Sequence, residues 1–197
     1  MSATLTDEDF ARAAKELNVE EAAIRAVVEV ETGGASGFLP DGRPAILYEA
    51  HVFHKETGGK HANARDRRGV ALSSAKWNRS LYGGTGVNQH NRYEDARKLD
   101  PDAANKACSW GTFQILGLNH KACGFDTSQA FVDAMWTGGA AAHLDAFVAF
   151  IKASKLDTAL RNKQWATFAR GYNGPAYAEN AYDQKMANAY ARWKAKG

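Results

Sequence analysis

Ile24-Arg25-Ala26-Val27-Val28-Glu29-Val30-Glu31-Thr32-Gly33-Gly34 is the stretch that decides how this 197-residue chain folds. On a helix, at about 100° per residue, Ile24, Val27 and Val28 form one apolar stripe. Glu31 falls in the middle of that stripe, at the end where Gly33 and Gly34 stop the helix. Glu29 lies on nearly the opposite side, one turn beyond Arg25 and two beyond Glu21, and reads as part of a solvated charged row. Two readings of Glu31 stay open on this pattern. A carboxyl at the end of an apolar face resists ionisation, as a general acid near neutral pH must. The other reading is a helix-end glutamate beside a glycine cap, pointing to water, because glutamates are rarely fully buried.

On the N-terminal side, Thr6 followed by Asp7, Glu8 and Asp9 marks a helix start, and Phe10, Ala13, Ala14 and Leu17 supply its apolar stripe. Asn18 with Glu21 three residues on resembles the cap of the second helix, so the first 32 residues predict a helical hairpin. On the other side, Pro40-Asp41-Gly42 is a turn signal and Ala45-Ile46-Leu47-Tyr48 reads as a short strand. From Thr57 to Pro101 the chain is polar and aperiodic, which predicts loops and one helix around Arg92 to Leu99. Helical patterning returns near Ala103. Thr127-Ser128 caps a segment through Met135, and Ala140 to Ala153 is apolar on most sides, a buried central helix. Another helix covers Gln164 to Gly171. After the turn Asn173-Gly174-Pro175, the spacing of Tyr182, Met186, Tyr190 and Trp193 predicts a last amphipathic helix. The expectation is a single domain over residues 1–197, mainly α with a small β element (α+β), without a separate second module.

Composition narrows the function. Hydrophobic residues make up 45% and charged residues 24%, as in soluble globular proteins. No run approaches the ~18 apolar residues of a membrane span. MSATLTDEDF has neither a basic n-region nor an apolar h-region, so the expectation is synthesis in a cytoplasm without an export signal. Cys108 and Cys123 fit neither a disulfide framework nor a zinc template and read as free thiols. The six histidines (51, 54, 61, 90, 120 and 143) form no ligand set, so neither metal nor cofactor is expected. Gly83-Gly84-Thr85-Gly86 lacks the Lys-Ser/Thr of a phosphate loop. A net charge of +3 and a pI near 8.8 suit an anionic polymer but are no nucleic-acid signature. Arg65-Asp66-Arg67-Arg68 reads as a solvated surface turn.

Two further stretches carry candidate chemistry. Ser109-Trp110-Gly111-Thr112-Phe113-Gln114-Ile115-Leu116-Gly117 puts an aromatic, small residues and an amide in one segment, either a sugar-binding cleft wall or a helix start with core aromatics. Ala169-Arg170-Gly171-Tyr172-Asn173-Gly174-Pro175-Ala176-Tyr177 places a tyrosine and an asparagine at a helix end, where they either reach into a pocket or merely stop the helix.

In order, Glu-Thr-Gly-Gly, Ser-Trp-Gly-Thr-Phe-Gln-Ile and Gly-Tyr-Asn-Gly resemble the three motifs shared by goose-type lysozymes and soluble lytic transglycosylases. Gly37-Phe38-Leu39-Pro40-Asp41-Gly42-Arg43-Pro44 and Ile46-Leu47-Tyr48-Glu49-Ala50-His51-Val52-Phe53 look like the N-acetylmuramidase domain of bacteriophage endolysins. The likeness spans roughly Ala22 to Trp193; one departure is Thr32, where the superfamily usually has Ser. It implies a lysozyme-like fold and cleavage between N-acetylmuramic acid and N-acetylglucosamine, with Glu31 as general acid. It also implies that Ser109, Gln114, Tyr172 and Asn173 line the sugar cleft, and Tyr177 completes the expected substrate contacts. Hydrolysis usually requires a second carboxylate. Glu49, presented after the expected strand, is the candidate; its alternative use is an ion pair with Arg43 or another nearby base. The expected partner is the peptidoglycan strand, met by a monomer made in a host cytoplasm and delivered to the periplasm by a holin or other export route. Competing readings are a lytic transglycosylase, which needs one acid/base only, a secreted antibacterial toxin of the same build, and a wall-binding protein on a decayed scaffold.

Overall fold

The computed structural model describes residues 2–197. Helix α1 (Asp7–Leu17) opens on a capping box in which the Thr6 hydroxyl accepts from Asp9 N–H and the Asp9 carboxylate accepts from Thr6 N–H. It closes on Asn18, whose left-handed backbone (φ 53°, ψ 50°) sends its N–H to the last carbonyls. Asn18 therefore ends the first helix and does not cap the second. Helix α2 (Glu21–Thr32) starts at Glu20 without a side-chain cap. Asparagine serves both kinds of cap, and here its tolerance of the left-handed region prevails.

Ile24, Val27 and Val28 are buried as the stripe requires. Glu29 departs from expectation. Helix α10 (Tyr182–Ala195) lies along α2, and Glu29 takes the Arg192 guanidinium and the Trp193 indole N–H, the latter at 2.9 Å. The row opposite the stripe is thus a second packing face, filled by ion pairs and aromatics.

Strands β1 (Ile46–Tyr48), β2 (Cys108–Trp110) and β3 (Ile115–Leu116) form a small antiparallel sheet in the order β1-β2-β3, with β2 in the middle. Ser109 pairs with Leu47 on one side and Leu116 on the other. Cys108 and Trp110 turn into the core, so Ser109 shares the opposite face with Leu47 and Leu116. The second candidate stretch is thus a β-hairpin, not a helix start. Helix α3 (Ala50–Glu56), the short 3₁₀ helix Arg79–Tyr82, α4 (Val87–Arg97) and α5 (Pro101–Lys106) occupy the polar middle of the chain. Helix α6 (Ser128–Thr137) begins at the Thr127 cap, and α7 (Gly139–Ala153) is the central helix, with Leu144, Phe147, Val148 and Ile151 buried. Helix α8 (Asp157–Arg161) and α9 (Trp165–Asn173) lead back to α10.

Arg65-Asp66-Arg67-Arg68 is not the solvated turn its composition predicts. Asp66 is only 6% exposed and meets the equally buried Arg92 of α4 at 2.6 Å. The other Asp66 oxygen accepts from the N–H groups of Arg68 and Val70, both at 2.9 Å. A charge run hides such a residue because sequence does not reveal which member turns inward.

Candidate active site

Two loops and two helix ends converge on Glu31. It sits in the last turn of α2, where the apolar stripe meets the cleft. Its carboxyl is largely removed from water and has no cationic partner among the described residues. Burial pushes its pKa up to about 7, against the lowering effect of an Asn173 hydrogen bond. Asn173 Nδ2 donates to Glu31 Oε1 at 2.9 Å from the end of α9. Thr32 holds the following turn, its hydroxyl accepting from Gly34 N–H at 3.1 Å.

Two cavities meet at Glu31 and Gln114, which line both. One, about 430 Å³, is bounded by Phe113, Leu116, Asn119, Phe150, Tyr172 and Asn173. The other, about 380 Å³, is bounded by Phe38, Ala45, Leu47, Thr85, Gly86 and Thr112. Each is of small-ligand size, and together they make a cleft with the Glu31 carboxyl between its halves. A larger hollow of about 650 Å³ lies between α2 and the end of α10. There Arg25 pairs with Asp7 and Glu21, Lys194 with Glu20, and the Lys196 ammonium stands over the Trp193 ring, so each carboxylate side chain of the hollow is matched by a base.

The expected lining residues are placed unequally. Gln114 has a left-handed backbone (φ 48°), a strained state for a residue with a side chain. Both its amide hydrogens go to backbone carbonyls, Gly111 at 2.9 Å and Ala45 at 3.1 Å, which leaves its side-chain carbonyl for a ligand. Tyr172 lines the first cavity, but its hydroxyl is committed to the Phe113 carbonyl at 3.1 Å, and its ring stands edge-on to Phe147. It is a wall and a brace. Ser109 lies between Leu47 and Leu116, one from each cavity, on the sheet face that joins them. Tyr177 does not line either cavity. It is buried at 9% exposure in the 3₁₀ turn Pro175–Asn180, with the Arg170 guanidinium over its ring, so the Asn-Gly-Pro turn carries it away from the cleft.

Glu49 follows β1 in an extended conformation (φ −108°, ψ 97°), two residues beyond Leu47 and so on the same face. It lines neither cavity itself. Arg43 is occupied by Asp41, at 2.6 Å, and leaves Glu49 alone. Glu49 instead accepts from the Tyr82 hydroxyl at 3.0 Å and lies 3.3 Å from His51 Nδ1.

One clamp behind the cleft was not foreseen. Thr112 N–H donates to His143 Nδ1 at 3.1 Å and the Thr112 hydroxyl to the Ser36 carbonyl at 3.1 Å. His143 Nε2 consequently holds the proton and gives it to the Met135 carbonyl at 2.9 Å. Burial lowers the His143 pKa, so the imidazole stays neutral. These segments approach so closely that a Cβ at Gly37 would lie 2.3 Å from Thr112 Cα, and one at Gly111 would lie 2.6 Å from the His143 ring. The sequence signal was available in these two glycines, but a glycine by itself does not name its neighbour.

A buried carboxyl between two sugar-sized hollows, at the junction of a small sheet and a helical body, defines a lysozyme-like glycosidase. The sequence comparisons make that specific. The model of the N-acetylmuramidase family matches residues 20–194, and the chain belongs to that family. The crystal structure of the Burkholderia AP3 phage endolysin is 44% identical and superposes with a TM-score of 0.87, over 98% of this chain and 72% of that one. No curated protein matches significantly.

Proposed function

We propose that this muramidase serves as a phage endolysin and hydrolyses peptidoglycan with Glu31 as general acid. The observation that carries the reading is the desolvated carboxyl of Glu31, without a cationic partner among the described residues, at the meeting point of the two cavities. Glu31 gives its proton to the glycosidic oxygen as the bond to C1 of N-acetylmuramic acid breaks. N-acetylglucosamine leaves with a free 4-hydroxyl, and positive charge develops at C1. Glu49 serves the other side, either taking a proton from the attacking water or adding to C1 before water replaces it. Gln114, Asn173 and Ser109 face the sugar, and Tyr172 shapes the wall. Asn173 also orients the Glu31 carboxyl.

The likeness to an endolysin supports synthesis in a host cytoplasm and action on the wall from the periplasm, after a holin has opened the inner membrane. No described helix is long and apolar enough to span a membrane. Turbidity of outer-membrane-permeabilised cells tests the reading. Glu31→Gln should lose more than ~10²-fold in lytic rate, the contribution of one general acid, while Glu29→Gln should keep it. Lysis by Glu31→Gln at the wild-type rate would overturn the assignment.

A further inference from the structure

Tyr82, in the aperiodic middle of the chain, belongs to none of the three motifs, yet its hydroxyl reaches Glu49. Trp77 Nε1 donates to that hydroxyl at 3.1 Å. An indole nitrogen is a donor only, so the hydroxyl must accept there, and its single hydrogen is left for Glu49 Oε1 at 3.0 Å. The direction of the chain Trp77→Tyr82→Glu49 is thereby fixed, and it ends on a carboxylate. Burial raises the Tyr82 pKa, which keeps that proton on the phenol.

The backbone around this contact is also tied. Gln89 of α4 is buried at 1% exposure; its Oε1 accepts from Tyr48 N–H at 2.8 Å and its Nε2 donates to the Tyr82 carbonyl at 2.6 Å. One buried amide thus joins the residue before Glu49 to the residue that holds its carboxylate. Asn78 caps the 3₁₀ helix below, accepting from Ser80 N–H at 2.9 Å. The same segment continues into Thr85 and Gly86, which line the cleft.

We infer that Tyr82 is a positioning residue for the reaction: it holds Glu49 in the orientation from which it acts on C1 or on water, with Trp77 fixing the hydroxyl's direction. The inference rests on the reading of Glu49 as the second carboxylate. With Tyr82 removed, only His51, 3.3 Å from the other carboxylate oxygen, would restrain Glu49; its wider range of orientations would reduce the fraction of productive encounters, and alignment is worth rate but not affinity.

A double-mutant cycle on Tyr82 and Glu49 tests it, with purified glycan strands as substrate and release of reducing ends as the readout. Tyr82→Phe keeps the ring and removes the donor. It should lower kcat about tenfold and leave KM within about twofold, as expected for loss of orientation alone. In the Glu49→Gln background, itself impaired by roughly 10² or more, the same change should cost nothing further. A full tenfold loss on top of Glu49→Gln, an unchanged kcat in Tyr82→Phe, or a loss confined to KM would overturn the inference while leaving Glu49 in place. Wild-type turnover by Glu49→Gln would instead remove Glu49 from the mechanism and the role of Tyr82 with it.

Discussion

Asn173 Nδ2 lies 2.9 Å from Glu31 Oε1, a contact that joins residues 142 positions apart at the centre of the cleft. A donated hydrogen bond favours the carboxylate, whereas burial favours the acid, and burial prevails, with the group titrating near 7. The amide therefore restrains an acid that would otherwise hold its proton to still higher pH.

The pH profile should record this balance. The alkaline limb of kcat/KM, which reports the free enzyme, should fall above about pH 7 in the wild type. Asn173→Ala removes the lowering contact, so its alkaline limb should move to higher pH even as the maximal rate drops. A limb displaced to lower pH would show that the amide is not acting on Glu31.

Stability should carry the opposite mark. The folded-state pKa of Glu31 is raised above its ordinary value of 4.5, so its contribution is full below that value and is lost as pH rises through about 7. Glu31→Gln cannot ionise. It should match the wild type in stability near pH 4 and exceed it above pH 8, by up to ~3 kcal/mol for a shift of this size. Denaturant unfolding at the two pH values reads the difference directly, and a variant less stable at pH 8 would contradict the assignment.

Asp66 and Arg92 predict a stability effect far from the cleft. Asp66→Ala strands a guanidinium that is 2% exposed and frees the N–H groups of Arg68 and Val70. Loss of one partner of a buried pair costs about 3–5 kcal/mol. Thermal unfolding should show a large fall in Tm; a change of a degree or two would mean that the loop readily rearranges.

Both thiols should be silent in the folded protein. Burial pushes the Cys123 thiol up to about 12 and holds Cys108 well above the usual thiol range. Ellman's reagent should find almost no thiol until denaturant is added, and reducing agent should leave lysis unchanged. Rapid labelling of the native protein would contradict the burial of these two residues.

How far sequence reaches is clearest at three places. Helix α2 was legible because one apolar stripe and two glycines bound it, and that stripe also located Glu31. The Ser109–Leu116 hairpin was not, because strands of three and two residues are too short to show period-2 alternation, and Gly111 allows several turns. Tyr82 and Trp77 were invisible for a different reason. Their meaning lies in contacts with Glu49 across 33 residues and with each other inside an aperiodic segment, where no spacing rule applies. Tyr177 shows the converse error: proximity to Asn173 in sequence suggested a shared pocket, and the intervening turn separates them.

The central claim is hydrolysis at N-acetylmuramic acid by Glu31, and mass spectrometry of the muropeptides released from purified sacculi tests it most directly. Water attacking C1 leaves a reducing N-acetylmuramic acid end, whereas the sugar's own 6-hydroxyl leaves an anhydro end. The account predicts reducing N-acetylmuramic acid as the main terminus from the wild type and no detectable release from Glu31→Gln. Anhydro ends as the main product, reducing N-acetylglucosamine ends, or the same products at full rate from Glu31→Gln would contradict it.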